Sequence, residues 1–292
     1  MKTGSYEVDR RAVTIWSEGS RLAAELIRPV GVSEPRPAIL LCHGWGGLKE
    51  HLAERYAVPF ALTGHVCLVF DYRGWGMSDG RMVPAKNEPM LTEPGERDVR
   101  VQVVREVVDP LDQIADIRAA MAYLLSEEGV DQNRLGLWGS SYGASHVIFA
   151  AATEDRVKAV VAQIGVYGHP REAWYADLAR QRMADKARGV LQPPIPQGVD
   201  GTPGLKGTPD VARQFGYSPI EAADRIKAST LFIDAENEEY GEPALQGGAA
   251  YAIVSRHTKA ARHTFPCTHY EIYDKFYDPS LKLAIDWFAE NL

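Results

Sequence analysis

Short, continuous apolar runs alternate along this chain with stretches whose apolar residues recur every three to four positions. Residues 13–29, VTIWSEGSRLAAELIRP, alternate about Glu18-Gly19-Ser20 and predict an opening β-hairpin. Runs beginning at 38 (AILLCHGWGG), 66 (VCLVFDYRGWG), 134 (RLGLWGS), 157 (VKAVVAQIG), 230 (TLFIDAEN) and 262 (RHTFPCTH) predict further strands. Runs without polar alternation belong to strands covered on both faces, as in a parallel sheet. Between them, residues 111–125 put Ile114, Ile117, Met121, Leu124 and Leu125 on one helical face. The segment from Ser280 does the same with Leu281, Ala284, Ile285 and Phe288. Alternating β and α elements with right-handed crossovers predict an α/β fold: a mostly parallel, doubly wound sheet of about eight strands.

The pattern breaks between 167 and 219. A helix-like piece with Trp174, Tyr175 and Leu178 is followed by GVLQPPIPQGVDGTPGLKGTPD, which is too irregular for a compact interior. Its place between two core strands predicts a cap inserted after the sixth strand, over the carboxyl edge of the sheet. The core is then 1–166 and 220–292, and the cap 167–219. A length of 292 residues suits one large α/β domain with such an insertion.

Charge and composition narrow the partners. A net charge of −7 without any Lys/Arg run offers phosphates no basic track, which argues against nucleic acid. No apolar run approaches the roughly 18 residues of a membrane span. The polar start MKTGSYEVDRR lacks the apolar core of a signal peptide. Cys42, Cys67 and Cys267 include no CxxC, and Cys42 and Cys67, in or beside apolar runs, read as buried free thiols in a reducing compartment, so a cytoplasmic protein is expected. Neither zinc-ligand spacing nor GxGxxG occurs, and no metal or organic cofactor is expected.

The stretch RLGLWGSSYGASHVIFAAA carries the candidate chemistry. Gly139-x-Ser141-x-Gly143 sits where a strand turns sharply into a helix, which holds the central serine exposed in a strained backbone. Ser141 is the candidate nucleophile and Ser140 is filler. A serine hydroxyl needs a base. Of the eight histidines, His269 in PCTHYEIYD directly follows the last strand and completes the chain order serine, acid, histidine. His146, on the helix behind Ser141, reads as packing. The orienting acid belongs in the loop after TLFID, where Asp234, Glu236, Glu238 and Glu239 are candidates. Glu238 is chosen because Asp234 still belongs to the strand end. HGWGG puts the backbone N–H of Trp45 beside the serine turn, and the N–H of Tyr142 follows the serine; together they form a candidate oxyanion hole. Trp174, Tyr175 and Tyr240 either line a substrate pocket, as Trp45 could, or pack the cap.

CHGWGG, FDYRGWGMSDG, GSSYG and THY, in this order, resemble the α/β-hydrolase superfamily over nearly the whole chain. The 167–219 cap is the least recognisable part. The nearest branches are the dienelactone-hydrolase-like and Xaa-Pro-dipeptidyl-peptidase-like ones, with small bacterial esterases and fungal polyketide transferases. The resemblance implies Ser141 as nucleophile, His269 as base and the Trp45 and Tyr142 amides as oxyanion hole. It implies a structural role for Asp71, Arg73, Gly74, Gly76 and Ser78. Glu238 in DAENEE stands where such chains usually have aspartate. Dienelactone hydrolases proper use cysteine, and the dipeptidyl peptidases are longer multidomain chains. The expectation is therefore a serine hydrolase of a small ester or lactone, with members of this fold often pairing as homodimers. Acyl transfer, thioester hydrolysis and carbon–carbon bond hydrolysis use the same groups. A non-catalytic receptor is disfavoured by the intact serine, acid and histidine order.

Overall fold

A computed structural model describes residues 6–170, 172–192 and 195–292. The beginning of the N-terminal stretch and Pro193-Pro194 of the irregular run lie outside the described residues. The strands of the main sheet are β1 (Val8–Ser17), β2 (Ser20–Pro29), β3 (Arg36–Cys42), β4 (Val66–Phe70), β5 (Val130–Ser140), β6 (Val157–Gln163), β7 (Ser229–Asn237) and β8 (Ala260–Thr268). They form one eight-stranded sheet in the order β1-β2-β4-β3-β5-β6-β7-β8. Only the β1–β2 and β2–β4 pairs are antiparallel; the other pairs are parallel. Every apolar run picked out in the sequence is one of these strands.

The central strands are buried along nearly their whole length because helices cover both faces. The longer helices are α1 (Pro110–Ser126), α2 (Tyr142–Ala151), α3 (Ala173–Ala187), α4 (Gly247–Val254) and α5 (Tyr277–Asn291). One face packs Ile114, Ile117, Met121 and Leu124 of α1 with Val147 and Ile148 of α2 against Leu40, Leu68 and Leu137. The other packs Ala284, Trp287 and Phe288 of α5 with Phe60 and Tyr56 against Ile39, Val69 and Trp138. Asp109 caps α1 by accepting from the N–H groups of Leu111 and Asp112, at 3.0 and 3.2 Å.

Between β6 and β7 the irregular segment contains α3, the short strand Thr208–Pro209 and the short helices Val211–Gln214 and Pro219–Ala222. The sequence pattern missed a second insertion, between β4 and α1. Arg81–Pro84 and Val101–Val104 pair antiparallel there, and Val107–Val108 pairs in parallel with Thr208–Pro209. The segment between β6 and β7 is also joined to α1 by charge. Arg213 reaches Asp109 at 2.5 Å and Asp112 at 3.0 Å, linking Val211–Gln214 to the start of α1.

The FDYRGWGMSDG loop is structural in detail. Buried Asp71 accepts from the Lys49 N–H and Nζ, each at 2.8 Å, and from the Met77 N–H at 3.1 Å. Arg73 donates to fully buried Asp116 through Nε at 2.9 Å and a terminal nitrogen at 2.6 Å. Asp71 thereby fixes the end of the loop that carries Trp45.

Candidate active site

Ser141 stands between the end of β5 and the first residue of α2 with φ 56° and ψ −124°, a strained conformation for a residue with a side chain. Two contacts enforce it. A Cβ on Gly143 would lie 2.2 Å from the Cys42 carbonyl oxygen, and one on Gly139 would lie 2.3 Å from that of Gly143. Only glycine lets the strand and helix approach this closely. The Ser141 N–H then donates to the Gln163 carbonyl at 2.9 Å, tying the turn to the end of β6.

His269, immediately after β8, is buried and brings Nε2 to 3.1 Å from the Ser141 Oγ. Its Nδ1 lies 2.9 and 2.8 Å from the two Glu238 carboxylate oxygens. Glu238 Oε1 also accepts from the Tyr240 N–H at 2.9 Å. The other candidate acids point elsewhere. Glu239 accepts from the His269 backbone N–H at 2.8 Å, Asp234 is paired with Arg262 at 2.5 Å, and Glu236 is exposed. Within this geometry an imidazole can take a proton from Oγ through Nε2 while a carboxylate holds its Nδ1–H.

The β3 turn comes close to the serine: a Cβ on Gly44 would lie 2.9 Å from that of Ser141. Among the described residues, no acceptor takes the Trp45 backbone N–H. The N–H of Tyr142, first in α2, has no intrahelical acceptor by position. Both side chains engage the insertion. The Trp45 indole donates to the Lys206 carbonyl at 3.0 Å, and the Tyr142 hydroxyl lies 3.2 Å from His169 Nε2.

A cavity of about 720 Å³ opens at Ser141 and His269, lined among others by Trp45, Tyr142, Leu205, Tyr240, Leu245 and Tyr273. Of the aromatic residues expected at a pocket, Tyr240 lines it, its ring edge-on to His269 at 4.8 Å. Trp174 and Tyr175 do not. Trp174 is 59 % exposed at the start of α3, while Tyr175 is buried with Ala179 and Val211 and donates to Gln214 at 3.2 Å. Consecutive helical residues point in different directions, so one of this pair faces solvent and the other packs against Val211.

Ser140 is more than filler. Its hydroxyl shares a 2.8 Å hydrogen bond with the Tyr273 hydroxyl and accepts from Gln163 at 3.3 Å. Tyr273 went unnoticed in the sequence, although it lies one helical spacing after His269 in THYEIYD. His146 packs as expected, with Nδ1 2.7 Å from the Tyr217 hydroxyl and Nε2 3.1 Å from Gln113.

Residues 18–192, more than half of the chain, match the family model described as X-Pro dipeptidyl-peptidase (S15 family). The chain belongs to the S15 family. An uncharacterised 31.7 kDa protein of the traX-finO intergenic region of Escherichia coli is 28 % identical to this S15 chain over 88 % of it and 91 % of the relative. The quorum-quenching protein AidA of Acinetobacter baumannii is 33 % identical over 50 % of this chain and 41 % of AidA. The structure of DcsB in complex with its substrate analogue superposes with a TM-score of 0.73, at 19 % identity, over 97 % of this chain and 99 % of that one. This S15 member thus has the α/β-hydrolase fold expected from its motifs.

Proposed function

We propose that this protein is a serine hydrolase of small carboxylic esters or lactones. The observation that carries the reading is the linked set Ser141 Oγ, His269 Nε2 and Nδ1, and Glu238, opening on one cavity. Ser141 Oγ adds to the carbonyl carbon while its proton passes to His269 Nε2. The imidazolium then protonates the leaving oxygen as the carbon–oxygen bond breaks. In the second half, water gives its proton to His269 and its hydroxyl to the acyl carbon, and Ser141 is regenerated. The N–H groups of Trp45 and Tyr142 receive the developing oxyanion. The segment 167–219 acts as the cap, with 1–166 and 220–292 as the catalytic core.

The test is turnover of p-nitrophenyl acetate by the protein and by Ser141→Ala, with organophosphonate labelling of the serine. Turnover and labelling are expected to disappear together in the variant. An unchanged rate in Ser141→Ala overturns the reading. Methanol added to the assay separates acceptors: methyl acetate forming faster than acetate would make the enzyme an acyltransferase instead.

A further inference from the structure

We infer that the cavity carries a subsite for a carboxylate on the substrate, formed by Arg55 and His51 at one wall. This rests on the hydrolase reading and names the class of ester it serves: one whose acyl or alcohol arm ends in an anion.

Both residues come from the helical stretch 50–62, in which Ala53–Ala57 is a π-helical turn, and both line the cavity. Such turns are uncommon and recur at functional sites. They lie four residues apart, a spacing that brings side chains together along a helix. Among the described residues, Arg55 is the arginine on the wall of this cavity, and no lysine joins it. Its guanidinium lies 4.4 Å from the Tyr277 ring centroid and donates to the Tyr273 carbonyl. Among the described residues it meets no carboxylate. These contacts hold the cation in place and leave the other N–H groups of its planar fork for a ligand.

His51 adds a donor of fixed sense. Its Nδ1 accepts from the Leu48 N–H at 3.2 Å, which puts the ring proton on Nε2. Among the described residues the carboxylate on the wall is Glu242, whose pKa is raised by the neighbouring Glu172. Arg55 is anchored to Tyr273, whose hydroxyl holds Ser140 beside Ser141. One continuous wall thus carries both the anion donors and the support of the nucleophile turn.

Two matched ester pairs test this. Monomethyl adipate against methyl hexanoate puts the charge on the acyl arm, and 4-acetoxybutanoate against butyl acetate puts it on the alcohol arm. The protein is expected to favour the anionic member of one pair about tenfold in kcat/KM, as a charge-assisted hydrogen bond provides. The preference should shrink in about 0.5 M salt, since the site opens to solvent. Arg55→Gln should cut the anionic-to-neutral ratio about fivefold or more, with Arg55→Lys retaining part of it. Calorimetric binding of the four esters to the Ser141→Ala protein, with and without Arg55→Gln, reads the subsite without turnover. No anionic preference in either pair, or a ratio untouched by Arg55→Gln, overturns the inference. Neutral esters cleaved by the parent and not by Ser141→Ala would leave the serine-hydrolase reading standing on its own.

Discussion

The Ser140 hydroxyl and the Tyr273 hydroxyl share a 2.8 Å hydrogen bond. Ser140 immediately precedes Ser141, and Tyr273 follows His269 by one helical spacing. The bond therefore straps together the backbones that carry Ser141 and His269, whose side chains lie 3.1 Å apart. Tyr273→Phe removes the strap and keeps the ring. Gln163 still reaches Ser140, so the fold should hold. Loss of one hydrogen bond of roughly 1 kcal/mol predicts a fall of about fivefold in kcat/KM for p-nitrophenyl acetate. If the role is positioning, kcat falls while KM stays within about twofold and the pH–rate profile is displaced. Unchanged steady-state kinetics would show that the strap does not align the pair.

Glu238 and Glu239 both bond His269, but to different atoms. Glu238 holds the ring at Nδ1, whereas Glu239 accepts from the backbone N–H. Only the ring contact sets the tautomer and stabilises an imidazolium. Glu238→Gln is expected to lower kcat by about 10³-fold or more. Glu239→Gln should cost about tenfold or less, because it loosens the backbone without altering the ring's proton. Steady-state ester kinetics on the two variants check this, and the reverse order would transfer the orienting role to Glu239.

The strands were legible because the central ones are short apolar runs and β1 and β2 alternate about a Glu18-Gly19-Ser20 turn, and the turn at Ser141 because its flanking glycines are dictated by backbone contact. Glu238 was picked from its place in the loop after β7, and of the four candidate carboxylates it is the one against His269 Nδ1. The aromatic pocket residues were only partly legible. Trp174 and Tyr175 are adjacent and equally apolar, and which one is covered depends on how α3 packs on Val211–Gln214. The hairpin of Arg81–Pro84 with Val101–Val104 escaped notice because its pattern does not separate an inner from an outer face. Met82, Val101 and Val103 are apolar yet exposed. Tyr273 was missed and Ser140 was read as filler because a hydrogen bond between distant hydroxyls leaves no periodic trace.

Acid should unfold this protein through its buried imidazoles. His43, His65 and His146 are buried, and burial pushes their pKa down from 6.5 to about 4, about 4 and about 3 respectively. The neutral ring is the form the fold accepts. The unfolded chain therefore binds protons more tightly, and the stabilisation is fully present above pH 6.5. It is lost as pH falls from there toward 4, the range in which the unfolded state takes up protons that the native state refuses. Urea unfolding followed by fluorescence should give a free energy that is level between pH 7 and 8 and drops steeply from about 6.5 to 4.5. His146→Gln can keep a hydrogen bond to Tyr217 or Gln113 without a titrating ring, and it should make that drop shallower by up to about one proton. A stability that stays level from pH 7 down to about 4.5 would mean these rings gain charge without cost, contrary to the burial of His43 and His146 near the Ser141 turn and of His65 against Phe60 and Phe288.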